Sequence, residues 1–80
     1  MDMNRVIALS DLRPDQQAKV VIVRTKTAQE LQSLMMAGIL PNAQVNVMHR
    51  DGRHVLVFAD CKELAVDREI AAGIYVEPGQ

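Results

Sequence analysis

Short apolar runs broken by turn signals dominate this chain, and only one segment shifts to helical spacing. The run AKVVIVR, Ala18 to Arg24, has four consecutive β-branched residues, Val20 to Val23, and predicts a strand buried on both faces or nearly so. In QVNVMHR, Val45 and Val47 fall on one face of a second strand, and HVLVFAD is near-continuously apolar. Between them Asp51-Gly52 signals a two-residue hairpin, because both central positions of a type I′ turn need positive φ. KELAVD predicts a further strand after a tight turn near Asp60-Cys61. Asp67 can then cap one helical turn, REIAA, which Gly73 ends before a last short strand, IYVE. At the other end Ile7, Leu9 and Leu12 can reach a core, Ser10 can cap a single helical turn, and Pro14-Asp15 reads as a turn.

The helical segment runs from Thr27 to Gly38. Thr27 with Glu30 three residues on forms a capping box, in which the hydroxyl takes the Glu30 amide and the carboxylate reaches back to the Thr27 amide. Ala28, Leu31, Leu34 and Met35 share one face and are expected to meet the core. Gly38 suits the left-handed position that ends a helix, and Pro41 cannot extend it. Met36 falls about 140° from the centre of the apolar face and should point to solvent. With Leu40 at the corner it forms a candidate contact for a partner or for a second copy. Five or six short strands around one short helix predict a mainly β fold, a small and strongly bent β-barrel, since an open sandwich would leave its edges bare.

Eighty residues make a single domain over 1–80 with a small core, and with Phe58 and Tyr75 as the only aromatics that core must be aliphatic. A formal net charge of −1 counts against a general nucleic-acid binder and gives no reason to expect an anionic membrane surface. Cys61 is the only cysteine, so no internal disulfide forms and a reducing compartment is expected. The segment MDMNRVIALSDL has no apolar stretch of signal-peptide length, and the run from Leu34 to Leu40 is too short to span a bilayer. The expectation is a soluble cytoplasmic protein without membrane insertion. No Ser/His/Asp grouping and no Gly-rich phosphate loop stands out, so the chain is not expected to be an enzyme.

Two histidines flank the hairpin. An even turn around Asp51-Gly52 would set His49 directly opposite His54, with Cβ atoms about 5 Å apart. Two imidazoles at that distance could share a transition metal such as Fe2+ or Zn2+, although stable sites take three or four ligands and a third would have to come from Asp51 or a second chain. The plainer reading is two half-exposed histidines at a hairpin end, with no cofactor required. Arg50 and Arg53 face each other in the same hairpin, as a solvated tip or as an anion- or partner-docking one.

Three stretches in order carry a family resemblance: LSDLRPDQQAKVVIV, then LMMAGILPNAQVNV, then ELAVDREIAAGIYVE. They resemble the FeoA family, small cytoplasmic proteins of bacterial ferrous iron uptake, over about residues 7–77. The resemblance implies an SH3-like barrel with the helix carried between the first two long strands. It also implies a non-enzymatic accessory role, exerted by docking to the membrane transporter FeoB through that protein's cytoplasmic GTPase portion. An alternative is a free-standing metal-responsive domain, related to the C-terminal barrel of iron-dependent repressors. Asp15 and Asn42 stand where the family usually has Gly after Pro, and both residue types tolerate positive φ. The hairpin HRDGRH is shorter than the family's usual loop, and Asp67 stands where a basic residue is common. A proline-rich peptide module is a third class, against which the shortage of aromatics counts.

Overall fold

The computed structural model describes residues 5–79. Its elements are β1 (Ile7–Ala8), a 3-10 turn (Leu9–Asp11), β2 (Gln17–Val23), α1 (Ala28–Met36), β3 (Gln44–Arg50), β4 (His54–Ala59), β5 (Lys62–Asp67), α2 (Arg68–Ala71) and β6 (Ile74–Pro78). The strands form one six-stranded sheet in the order β1-β6-β2-β3-β4-β5, and every neighbouring pair runs antiparallel. The ladder is open, with β1 and β5 as its edges, rather than closed into a ring.

One face of the sheet supplies the core. Ala18, Val20, Val45, Val47, Val55, Val57, Ala59, Val66, Ile74 and Val76 are all buried in a single cluster, which Leu9, Leu12, Leu34, Ile39 and Ala71 complete. Period-2 alternation produces this directly, since alternate residues of a strand point to opposite faces. The cluster is wholly aliphatic, as the composition requires.

β2 corrects the expectation of a strand buried on both faces. Val21 is 37% exposed and Ile22 47% exposed, and the pairing with β6 slips between Val20 and Ile22. The β-branched run reflects strand propensity on a half-buried surface, not two-sided burial.

Turn chemistry explains the corners. Asp15 (φ 67°) and Asn42 (φ 76°), the two residues that stand in for Gly after Pro, both take positive φ. Asp60 (φ 51°) and Cys61 (φ 63°) form the two-residue turn between β4 and β5, the pattern of a type I′ hairpin. Gly38 (φ 92°) ends the helix corner, and a Cβ there would lie 2.5 Å from the Cβ of Asp60. Two cap expectations change. Ser10 lies inside its 3-10 turn, buried, and Asp67 precedes α2, but neither turn has a side-chain cap.

Candidate functional site

Helix α1 is the element that the fold uses least. Its start is well made: the Thr27 hydroxyl accepts a 3.0 Å hydrogen bond from the Glu30 amide, and the Glu30 carboxylate accepts one of 3.2 Å from the Lys26 amide. The carboxylate thus reaches one residue further back than a standard capping box predicts. Beyond that, Leu34 is the only residue of α1 that is buried.

The facing of the helix is therefore a correction. Of the four residues expected to meet the core, Leu34 does so, whereas Ala28 is exposed, Leu31 is 36% exposed and Met35 51% exposed. The helix has turned so that its Leu34 edge anchors it and its broad apolar stripe looks outward. Met36, 76% exposed, and Leu40, 38% exposed, lie in solvent as the sequence reading placed them. Leu31, Met35, Met36 and Leu40 together make an apolar surface on α1 and the corner after it. A sequence signal for it exists: no Asp, Glu, Lys or Arg occurs between Glu30 and Arg50. Helix surfaces that only meet water normally carry charge.

The hairpin between β3 and β4 differs from its expected register. Asp51 donates its amide to the His54 carbonyl at 2.9 Å, so the turn is centred on Gly52-Arg53, one residue later than the Asp51-Gly52 signal predicts. The Asp51 carboxylate decides this. It accepts the amides of Arg53 and His54, both at 2.8 Å, and locks an Asx-type turn over itself. Those two bonds, with smaller help from the nearby His54 and His49 rings, hold its pKa below the ordinary aspartate value.

As a result His49 pairs with Leu56, beyond an irregularity after Val47, and His54 pairs across the other side with Asp67. The two histidines are not direct cross-strand neighbours. His54 Nε2 instead lies 3.4 Å from Asp67 Oδ1, an exposed contact. Arg50 and Arg53 are separated too: Arg50 bonds the Ser10 carbonyl at 2.9 Å, while Arg53 sits in the turn. Arg68 reaches back to the Asp51 carbonyl at 3.0 Å and ties the hairpin to α2. Among the described residues no group of three or more His, Cys, Asp or Glu is placed to hold a metal ion. None of the helices among them is long and apolar enough to cross a membrane.

An open groove of about 550 Å³ runs between α1 and β5, lined by Leu34, Leu64, Val66 and Ile70 together with Glu30 and Asp67. Sequence reasoning gave no hint of it, because it depends on how far the helix stands from the sheet.

These features define a small antiparallel sheet domain with one loosely held helix between its first two long strands, and with an apolar surface on that helix. The chain belongs to the FeoA family: the FeoA domain model matches residues 7–78. That family is linked to ferrous iron transport. No curated protein sequence matches the chain. Among solved structures, the FeoA protein of Chlorobium tepidum is similar at 24% identity and TM-score 0.86, over 92% of this chain and 71% of that one. Stenotrophomonas maltophilia FeoA complexed with zinc, described as a prokaryotic SH3 domain protein, is similar at 21% identity and TM-score 0.76, over 88% of each chain. IdeR of T. acidophilum is similar at 20% identity and TM-score 0.83, with 99% of this chain matching 37% of that larger protein.

Proposed function

We propose that this protein is a non-enzymatic cytoplasmic accessory protein of ferrous iron uptake, and that it docks to a FeoB-type GTPase and membrane transporter through α1. The observation that carries this reading is the apolar surface of Leu31, Met35, Met36 and Leu40 on a helix held by one buried side chain. Their exposures amount to about two whole apolar side chains. Withdrawing that much surface from water is worth about 3–6 kcal/mol before the costs of association, enough to support a specific contact. Methionine suits such a surface, since its unbranched chain adapts to the partner's shape.

The test is Met36→Glu. The side chain already stands in water, so thermal stability should change by less than about 0.5 kcal/mol. Binding to the transporter, measured by pull-down from membrane extract with the transporter detected directly, should fall at least tenfold, because an unpaired charge is costly to bury. A folded variant that binds the transporter as wild type does would overturn the docking reading.

A second reading, a free-standing metal-responsive domain, draws support from the likeness to IdeR. Its ligands would be His49 and His54, with Fe2+ or Zn2+ completed by groups from a second copy. Titrating Co(II) into wild type and a His49→Ala/His54→Ala variant separates the two; equal binding in both removes this reading.

A further inference from the structure

Strand β5 is an edge of the sheet, and most of its outer backbone is free. It pairs with β4 from His54↔Asp67 to Ala59↔Lys62. The two-residue turn at Asp60-Cys61 closes on Ala59 and Lys62, and the Arg68 amide bonds the Arg53 carbonyl at 2.8 Å. In an antiparallel ladder hydrogen-bonded pairs alternate with non-bonded ones, so both ends fix the same phase. Lys62, Leu64 and Val66 turn their amides and carbonyls to β4. Glu63 and Ala65 turn theirs outward, and no other backbone or side chain bonds them among the described residues. Asp67 turns its amide outward, while its carbonyl, as that of the N-cap residue, belongs to the first turn of α2. This free row borders the groove under α1.

We infer that the β5 edge, with the groove beside α1, is a binding site for an extended basic-apolar peptide segment of another protein, taken up by strand addition. Added antiparallel to β5, a five-residue segment sets its first, third and fifth residues opposite Asp67, Ala65 and Glu63. The third and fifth each exchange two backbone hydrogen bonds with the edge, and the first accepts one from the Asp67 amide. The second and fourth share the face of Val66 and Leu64 and enter the groove against Leu34 and Ile70. The first and fifth lie beside two exposed carboxylates, Asp67 and Glu63, and the one further charged residue of the groove, Glu30, is acidic as well. The complementary pattern is basic, apolar, neutral, apolar, basic. The groove volume lies within the usual range for ligand sites, about 300–1,000 Å³.

The same charges disfavour a second copy as the occupant. Two β5 edges joined about a two-fold axis must place one residue opposite its own mate. Centring on Ala65 sets Glu63 against Asp67 of the second copy at both ends, like charge against like charge. Centring on Leu64 or on Val66 avoids this but leaves only Glu63 with Ala65, or Ala65 with Asp67, paired, because Cys61 belongs to the turn and Glu69 to α2. The site lies on the Leu34 edge of α1, away from Met35 and Met36, so it stands or falls separately from the docking surface.

The probe is a capped peptide, Lys-Val-Thr-Val-Lys, added to the isotope-labelled protein. The amides of Glu63, Ala65 and Asp67 should shift and exchange with solvent at least threefold more slowly. A Glu-Val-Thr-Val-Glu peptide should bind at least tenfold more weakly. Proline at the central position, which removes an amide that faces Ala65, should abolish the protection. A Glu63→Lys/Asp67→Lys variant should reverse the preference between the two charged peptides. Unchanged β5 amides, equal binding of both peptides, or protection that rises with protein concentration alone and marks a second copy, would each overturn the inference.

Discussion

Leu34→Ala should release α1 while the sheet stays folded. Leu34 is 6% exposed and is the one side chain that ties the helix to the core. Truncating a buried leucine costs about 2–5 kcal/mol. The open groove lies on one flank of this site, so water can follow the retreating side chain and the cost falls near the lower end, about 2–3 kcal/mol. Nothing else in the helix can replace that. At nine residues it is shorter than the 12 to 15 or so at which isolated helices become even marginal in water, and its Thr27 cap contributes only about 1 kcal/mol. Ile39, fully buried just past the corner, keeps the following chain in place. The loss therefore falls on local opening rather than on global unfolding. Amide exchange followed by NMR reads the two separately. Amides from Leu31 to Ala37 should approach unprotected rates in the variant, while those of Val45, Val47, Val55 and Val57 keep most of their protection. If helix and strands lose protection in parallel, the helix is integral to the fold and the reasoning about its loose attachment is wrong.

Gly38→Ala should destabilise the whole domain by more than about 1 kcal/mol, because it combines positive φ with a Cβ in contact with Asp60; an unchanged melting temperature would refute this. Asp51→Ala tests the hairpin lock through pH. The folded-state pKa of Asp51 lies below its unfolded value, so its contribution is complete above the unfolded pKa and lost as pH falls through the folded one. The gap in melting temperature between wild type and Asp51→Ala should be constant at neutral pH and shrink only in strong acid, and a gap that closes near neutrality would contradict the assignment.

What the sequence made legible follows from local chemistry. The strands alternate visibly, and the bounds of α1 were set by Thr27 and by Gly38 with Pro41, residues whose preferences act over one turn. The turn substitutes Asp15 and Asn42 were readable for the same reason. Sequence and structure part where a local conformation depends on something distant. The stripe of Ala28, Leu31 and Met35 reads as a core face because most apolar helix stripes are one, yet burial of that stripe depends on where the sheet stands. The hairpin register turned on a side chain: the Asp51 carboxylate captured two amides and moved the turn by one residue, which separated His49 from His54. The free edge of β5 could not be read at all, since strand order is a property of the assembled sheet.

That order has a consequence for any chain cut short. β6 is the last strand in sequence but lies between β1 and β2. A chain that ends before Ile74 can still pair β2 to β5 in sequence, but the side of β2 that β6 covers has no neighbour and Val20 loses its cross-strand partner Val76. Such a chain carries a bare strand edge beside an apolar face, the combination most prone to pairing with a neighbouring chain. Ile74 and Val76 end this exposure, so truncation before them leaves not a smaller version of the domain but an adhesive fragment of it.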